Sequence, residues 1–273
     1  WRKSVARDSS CAVFEVESDV VVPVEQASDK REYAARTIRK KLQGKRDDYL
    51  ESMRSVRPGK SSLPLKVSGL DLEDIDGILS DLKLNRSVSK VSKHFTSGTA
   101  AAKRQFRRFL KNDLSNYDEN RGQPQTTTVT HMSMYLHFGQ ISPLWLANQA
   151  RECQPSEDAD TFLEELLVRR ELAINFVYFE DDYDSYSCLP EWALKTLQEH
   201  KDDEREHRYS RQELEDGVTH DEYWNAAMKE MRCTGYMHNH MRMYWGKQIL
   251  AWCNTPKYAN ETALYLNNKY FID

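Results

Sequence analysis

The chain has 273 residues, of which 39% are hydrophobic and 30% charged, with a mean hydropathy of −0.78. That length suits one large domain or two small ones, with a sizeable core under a heavily solvated surface. No run of about 18 apolar residues occurs, which argues against a membrane helix, while a net charge of −4 leaves room for local basic patches that bind nucleic acid.

The opening W-R-K-S-V-A-R-D has no apolar core, so no signal peptide is read there, and a first Trp in place of Met reads as a fragment. Residues 11–24, C-A-V-F-E-V-E-S-D-V-V-V-P-V, are rich in Val and predict one or two strands. Two strands alone make no stable sheet, so they read as the tail of a domain whose body is absent. R-E-Y-A-A-R-T-I-R-K-K-L-Q (31–43) predicts a helix capped by Ser28 or Asp29. Residues 54–92, broken by Pro58, Gly59, Pro64 and Gly69, predict a long loop with short helical pieces at most.

From Ser97 the pattern is helical. Residues 97–114 form a first helix, 132–139 a short one, and S-P-L-W-L-A-N-Q-A-R (142–151) carries Pro in its first turn. Residues 161–179 predict one long helix, followed by helices within 190–200, 220–232, 237–252 and 260–269. The fold class is therefore mainly α, a helical domain preceded by a short α/β remnant. Five cysteines (11, 153, 188, 233, 253) show no C-x-x-C and no zinc-like spacing, so free thiols in a reducing compartment are expected.

Chemistry concentrates in T-G-Y-M-H-N-H-M-R-M-Y-W-G-K-Q-I-L-A-W-C (234–253). Arg242, Trp245, Ile249 and Trp252 follow i, i+3, i+7, i+10 and share one helix face. The plain reading is a core stripe with a snorkelling arginine. Trp224, on the preceding helix, can meet this face across the intervening turn. His238 and His240 point roughly 200° apart on a helix and cannot share a metal, and no metal site is expected. Neither a Gly-rich phosphate loop nor a nucleophile elbow appears. K-R-Q-F-R-R-F-L-K (103–111) sets Lys103, Arg104, Arg107, Arg108 and Lys111 on one side and Phe106, Phe109 and Leu110 on the other, either a solvated face or a phosphate-facing patch.

Long segments in order resemble class II cyclobutane-pyrimidine-dimer photolyases, within the photolyase/cryptochrome superfamily. They are V-V-P-V…A-S-D-K-R-E-Y-A-A-R-T-I-R-K-K-L, F-L-E-E-L-L-V-R-R-E-L-A-I-N-F, H-K-D-D-E-R, L-E-D-G-V-T-H-D-E-Y-W-N-A and T-G-Y-M-H-N-H-M-R-M-Y-W. The resemblance implies the end of an α/β antenna domain at 1–24, an interdomain helix and linker at 25–92, and a helical FAD-binding domain at 93–273. Most of the antenna domain and the C-terminal end of the flavin domain would be missing. It further implies an intracellular lyase of cytoplasm or nucleus, monomeric and without a membrane partner. Its cofactor would be FAD, and its reaction the light-driven repair of pyrimidine dimers in UV-damaged DNA.

Residue by residue, Trp245 matches the tryptophan nearest the flavin, Trp224 the next relay and Trp252 a branching one. Indole suits that task because it is oxidisable yet packs as an apolar group. Arg242 matches an arginine paired with an aspartate beside the flavin ring, here Asp273, where positive charge favours the electron-donating form. Asn267 matches an asparagine at the flavin N5 edge, with Asn268 the alternative one place on. Glu165 matches a carboxylate that hydrogen-bonds the dimer, and Met243 a residue that packs against it. Tyr117, Thr130, Ser133, Arg170 and Asn239 match positions that hold the FAD phosphates, ribityl chain or ring. The chain departs from the family pattern at T-H-M-S (130–133, usually S-N-L-S), at Ile174, at Asp19 and Val20, and at Arg169, where some members carry a lesion-stacking Trp. Two other readings stay open: a flavin photoreceptor of cryptochrome type, and a helical DNA-binding or interaction module without flavin.

Overall fold

The computed structural model describes residues 2–51, 56–57, 59–66 and 68–273; Trp1 and the loop breaker Pro58 lie outside them. Among the described residues the secondary structure is helical, with no strand. Contacts divide the chain into two compact units, Trp1–Glu51 with Ser97–Pro190, and Ser52–Thr96 with Glu191–Asp273.

The first unit is built on Thr99–Asn112, Pro143–Arg151 and the run from Glu157 to Phe179. Phe106 and Phe109 face inward from the first of these helices and meet Phe162, with ring centres 5.2 and 6.0 Å away. Ser142 caps the Pro143–Arg151 helix by accepting from the Trp145 N–H at 3.4 Å. The long helix expected over 161–179 starts earlier, where Ser156 accepts from the Ala159 N–H, and it is not continuous. Glu164–Arg169 is a π-helical stretch between two α-helices, Glu157–Leu163 and Arg170–Phe179. Such wide turns cost hydrogen-bond geometry and often mark functional positions.

Two expectations need correction here. Residues 11–23 are not strands. A strand needs a ladder partner for its N–H and C=O groups, and in this unit side chains take that role. The Val21 N–H donates to the Glu171 carboxylate at 2.6 Å, the Val24 N–H to Glu17 at 3.0 Å, and Arg170 Nη1 donates to the Asp19 carbonyl. Burial accounts for Val20, Val21, Val22 and Val24, whereas Val13 and Val16 are exposed. The second correction concerns the next helix, which runs Ala35–Gln43 with Ala34 at its cap, not Ser28 or Asp29. Asn175 holds the preceding backbone extended, accepting from the Glu32 N–H at 2.8 Å and donating to the Lys30 carbonyl at 3.2 Å. Ser28 bonds Glu32 and Lys41.

In the second unit the described residues of the segment read as a loop contain one short helix, Ile75–Asp81, capped by Asp74. Helices Glu191–Glu199, Arg211–Asp216, Glu222–Thr234, Asn239–Trp252 and Pro256–Tyr270 follow. Arg211–Asp216 was not foreseen, although S-R-Q-E forms a full capping box at Ser210 and Glu213. The core gathers Leu214, Trp224, Met228, Met231, Met237, Ile249 and Leu266. Gly235 ends the Glu222–Thr234 helix at φ 74, and its carbonyl accepts from the Ile272 N–H at 3.1 Å. A side chain there would meet Ile272 at 2.8 Å, so glycine lets the C-terminal residues pass beneath this turn.

Candidate functional site

The sequence-selected face of Asn239–Trp252 is the buried one. Trp245 and Trp252 are each 5% exposed and Ile249 is 1%. His238 caps this helix, its Nδ1 accepting from the His240 N–H at 3.2 Å. Asp221 caps the neighbouring helix through the Trp224 N–H at 2.9 Å, which seats Trp224 in the core with no exposed surface. The Trp224 and Trp252 rings meet edge to face with centres 5.4 Å apart. Trp224 Nε1 donates to the Trp245 carbonyl at 3.2 Å, and Trp245 Nε1 donates to the Met228 sulfur at 2.9 Å. Three indoles, the set chosen from the sequence, thus lie in one cluster.

That cluster extends in a direction the sequence reading missed. Tyr209 and His220 stand edge-on to Trp252 at 5.4 and 5.3 Å, and the Tyr209 hydroxyl bonds His220 Nδ1 at 2.8 Å. His207 stacks on His220 with centres 3.7 Å apart. His207 lies in a polar, aperiodic segment and His220 opens the predicted helix 220–232, and no spacing links either to Trp252.

Arg242 and Asp273, matched through the resemblance alone, form an ion pair at 2.6 Å, with side chains 31% and 12% exposed. The guanidinium lies 3.7 Å above the Phe271 ring, and Phe271 turns its edge toward Trp245 at 6.0 Å. Phe271 is held in turn by its N–H donating to the Asn267 carbonyl at 3.0 Å. Asn267 is half-buried, its side-chain amide donating to Asn268 at 3.1 Å. Arg242 Nε is buried and has no hydrogen-bond partner among the described residues. An arginine with a spare buried donor, braced by an aromatic ring and a carboxylate, suits the polar edge of a flavin. Met243 and Asn239 are exposed on the same helix. Two open grooves of this unit, about 650 and 760 Å³, flank Val88; Asn268 lines the second, and neither is lined by Trp245, Arg242 or Asn267.

On the first unit, Glu165 sits in the π-helical stretch and accepts from Arg121 at 3.1 Å. Tyr117 is buried between Phe109 and Phe162, and burial, together with the negative charge of Glu165, pushes its hydroxyl up to about 12. Thr130 accepts from the Met132 N–H at 3.2 Å, and Ser133 opens the exposed end of Ser133–His137. His131, where the family pattern carries Asn, has φ 50, a region in which Asn, Asp and His are the commonest non-glycine residues. Arg170 Nη1 is committed to the Asp19 carbonyl, and burial lowers its guanidinium from the ordinary value. Along Thr99–Asn112 the charges of Arg104, Arg107, Arg108 and Lys111 face solvent, while Lys103 and Arg107 lie over the Trp145 ring.

No cluster of three or more metal-ligating side chains occurs among the described residues, and all five cysteines are free. No described helix is long and apolar enough to cross a membrane.

No family model matches the chain. Over its whole length the chain is 44% identical to a deoxyribodipyrimidine photo-lyase of Methanothermobacter thermautotrophicus, of which it spans 59%. It is 41% identical to the deoxyribodipyrimidine photo-lyase of Arabidopsis thaliana, over 97% of this chain and 54% of that protein. The chain therefore spans little more than half the length of these curated relatives. Among solved structures, a cryptochrome of Synechocystis superposes with a TM-score of 0.59 over 94% of this chain and 52% of its own, at 16% identity, a likeness of fold alone. Similarity along its whole length and the shared helical fold support a place for the chain in the photolyase/cryptochrome superfamily.

Proposed function

We propose that this chain carries the flavin-holding part of a DNA photolyase of class II type, which binds FAD and repairs cyclobutane pyrimidine dimers in UV-damaged DNA under light. The observation that supports this most is the buried tryptophan cluster, with Trp224 and Trp252 edge to face at 5.4 Å and Trp245 bonded to the same helix that carries Trp224. Packing alone accounts for buried rings; it does not account for a half-buried arginine with a spare Nε on the face that carries them. FAD, when bound, supplies light absorption and the electron that opens the cyclobutane ring.

The chain's own groups do the rest. Trp224 and Trp252 exchange electrons through their ring contact, and Trp224 and Trp245 through the buried core where the Trp224 N–H bonds the Trp245 carbonyl. Arg242, kept flat on Phe271 and paired with Asp273, presents fixed positive charge to the flavin ring, and Asn267 presents an amide to it. Tyr117, Thr130, Ser133, Arg170 and Asn239 are the groups proposed, by family likeness, for the remaining polar parts of the cofactor. A stacked dimer must be flipped from the duplex to be reached. Glu165 is proposed to hydrogen-bond its edge and Met243 to pack against it, while Arg104, Arg107, Arg108 and Lys111 offer charge to phosphates.

The test is to mix FAD-loaded protein with dimer-containing oligonucleotide and measure dimers in light and in darkness. Loss of dimers in light alone is expected. Bound flavin with no repair would favour the photoreceptor reading, and failure to bind flavin would favour the interaction module.

A further inference from the structure

The two inner indoles send their N–H groups to acceptors that cannot take a proton. Trp245 donates to the thioether of Met228, and Trp224 donates to a backbone carbonyl, both bonds being buried. A thioether is a weak acceptor, and neither it nor an amide oxygen is a base near neutral pH. Met228 lies four residues beyond Trp224, so the same helix face carries one ring and supplies the acceptor for the other. Met228 and Trp224 have no exposed surface, which leaves no solvent at either contact. An indole that has lost an electron is a far stronger acid than a neutral one. An imidazole or carboxylate at position 228 would therefore strip the proton and hold the oxidised ring in place.

We propose that Met228 is a positioning residue of the electron relay, whose sulfur fixes the Trp245 ring and lets it lose and regain an electron with its N–H bond intact. This rests on the relay reading above and deepens it. One electron leaves the Trp245 π system for an oxidised, light-excited flavin, which is reduced by it. One electron then passes from Trp224 to Trp245, and no bond is made or broken at either ring. The outer ring, Trp252, stands instead beside the hydroxyl–imidazole pair of Tyr209 and His220.

The test has a dark arm and a light arm on the FAD-loaded protein. In the dark, nuclear magnetic resonance of isotope-labelled indole N–H groups, with Trp245 assigned through Trp245→Phe, is expected to show its signal move upfield in Met228→Leu. An unmoved signal overturns the contact. In the light, Trp224→Phe confines oxidation to Trp245, and transient absorption is expected to show the protonated indole radical with the same decay in light and heavy water. Met228→His in that background is expected to replace it by the deprotonated radical, with a solvent isotope effect that a merely structural role would not produce. A deprotonated radical with Met228 in place overturns the proposal. Should no oxidised indole form in the unaltered protein, the relay reading falls and this role with it, while the dark arm still reports separately on the contact.

Discussion

The two units put their buried polar groups to different uses. In the first, Glu171, Asn175 and Glu32 are 3%, 1% and 5% exposed, and Glu171 and Asn175 act as pegs for the backbone of residues 21–32. In the second, buried indoles and a thioether bond from one helix to the next, and the buried carboxylate Glu215 meets the Lys269 ammonium and the Tyr270 hydroxyl rather than backbone amides. The contrast bears on how motifs are read. R-R-E-L-A-I-N-F belongs to one of the longest family-like segments, yet Arg170, Glu171 and Asn175 within it hold a neighbouring chain segment, so much of its specificity is architectural. The Asn239–Trp252 string places its marked residues against each other.

Electrostatics sharpen the contrast within the first unit. Burial pushes the Glu171 carboxyl up to about 7, outweighing the Val21 and Val22 N–H groups that favour its charge. Burial pushes Glu32 the same way, but bonds from Lys41, Thr37 and Ser28 together overcome it and hold that carboxyl down at about 2. Two buried carboxylates therefore respond to pH in opposite senses, because Lys41 and two hydroxyls bond one directly, while the other bonds backbone amides and meets the Arg170 charge only at a distance, too weakly to offset its burial.

The largest effect is expected from removing a peg. Asn175→Ala would leave the buried Glu32 N–H unbonded, at about 1–3 kcal/mol, and cost the Lys30 carbonyl one bond, at about 0.5–1.5 kcal/mol, so urea unfolding should lose roughly 2–4 kcal/mol. An unchanged midpoint would mean that this backbone does not depend on the peg. Next comes pH. A carboxyl raised from 4.5 to about 7 on folding contributes stability that is present below its ordinary value and lost as pH rises through about 7. The shift corresponds to roughly 3 kcal/mol. Urea midpoints should therefore fall between about pH 5 and about pH 8, and Glu171→Gln should flatten that fall. Glu32 acts on the other limb, its contribution being lost as pH drops from 4.5 toward about 2.

In the second unit Gly235→Ala forces a side chain into φ 74 and against Ile272. A cost of about 1–3 kcal/mol is expected, together with a loosened Arg242–Asp273 pair visible as weaker flavin binding. The smallest effect should come from Ser210→Ala, which removes a capping box and should cost about 1 kcal/mol in the same unfolding measurement.

The parts legible in the sequence were those fixed by one helix's own period. Arg242, Trp245, Ile249 and Trp252 had to share a face, and their apolar members had to be buried. The Arg242–Asp273 contact was reached through family likeness, since no periodicity links residues on different elements. What escaped was set by tertiary choice. Val-rich 11–24 has the same composition whether a ladder or the side chains of Arg170 and Glu171 take its backbone groups. Ser28 looks like a cap until Asn175 claims the intervening residues. E-E-L-L-V-R reads as ordinary helix, and nothing in it announces the wide turn that carries Glu165. Tyr209, His220 and the Met228 acceptor were hidden because each meets its indole across separate segments.

Charge passage through the buried indoles is tested most directly by blue-light reduction of oxidised FAD in the loaded protein and in Trp245→Phe. Flavin absorbance should bleach in the former and stay unchanged in the latter. Equal bleaching in both would contradict the path.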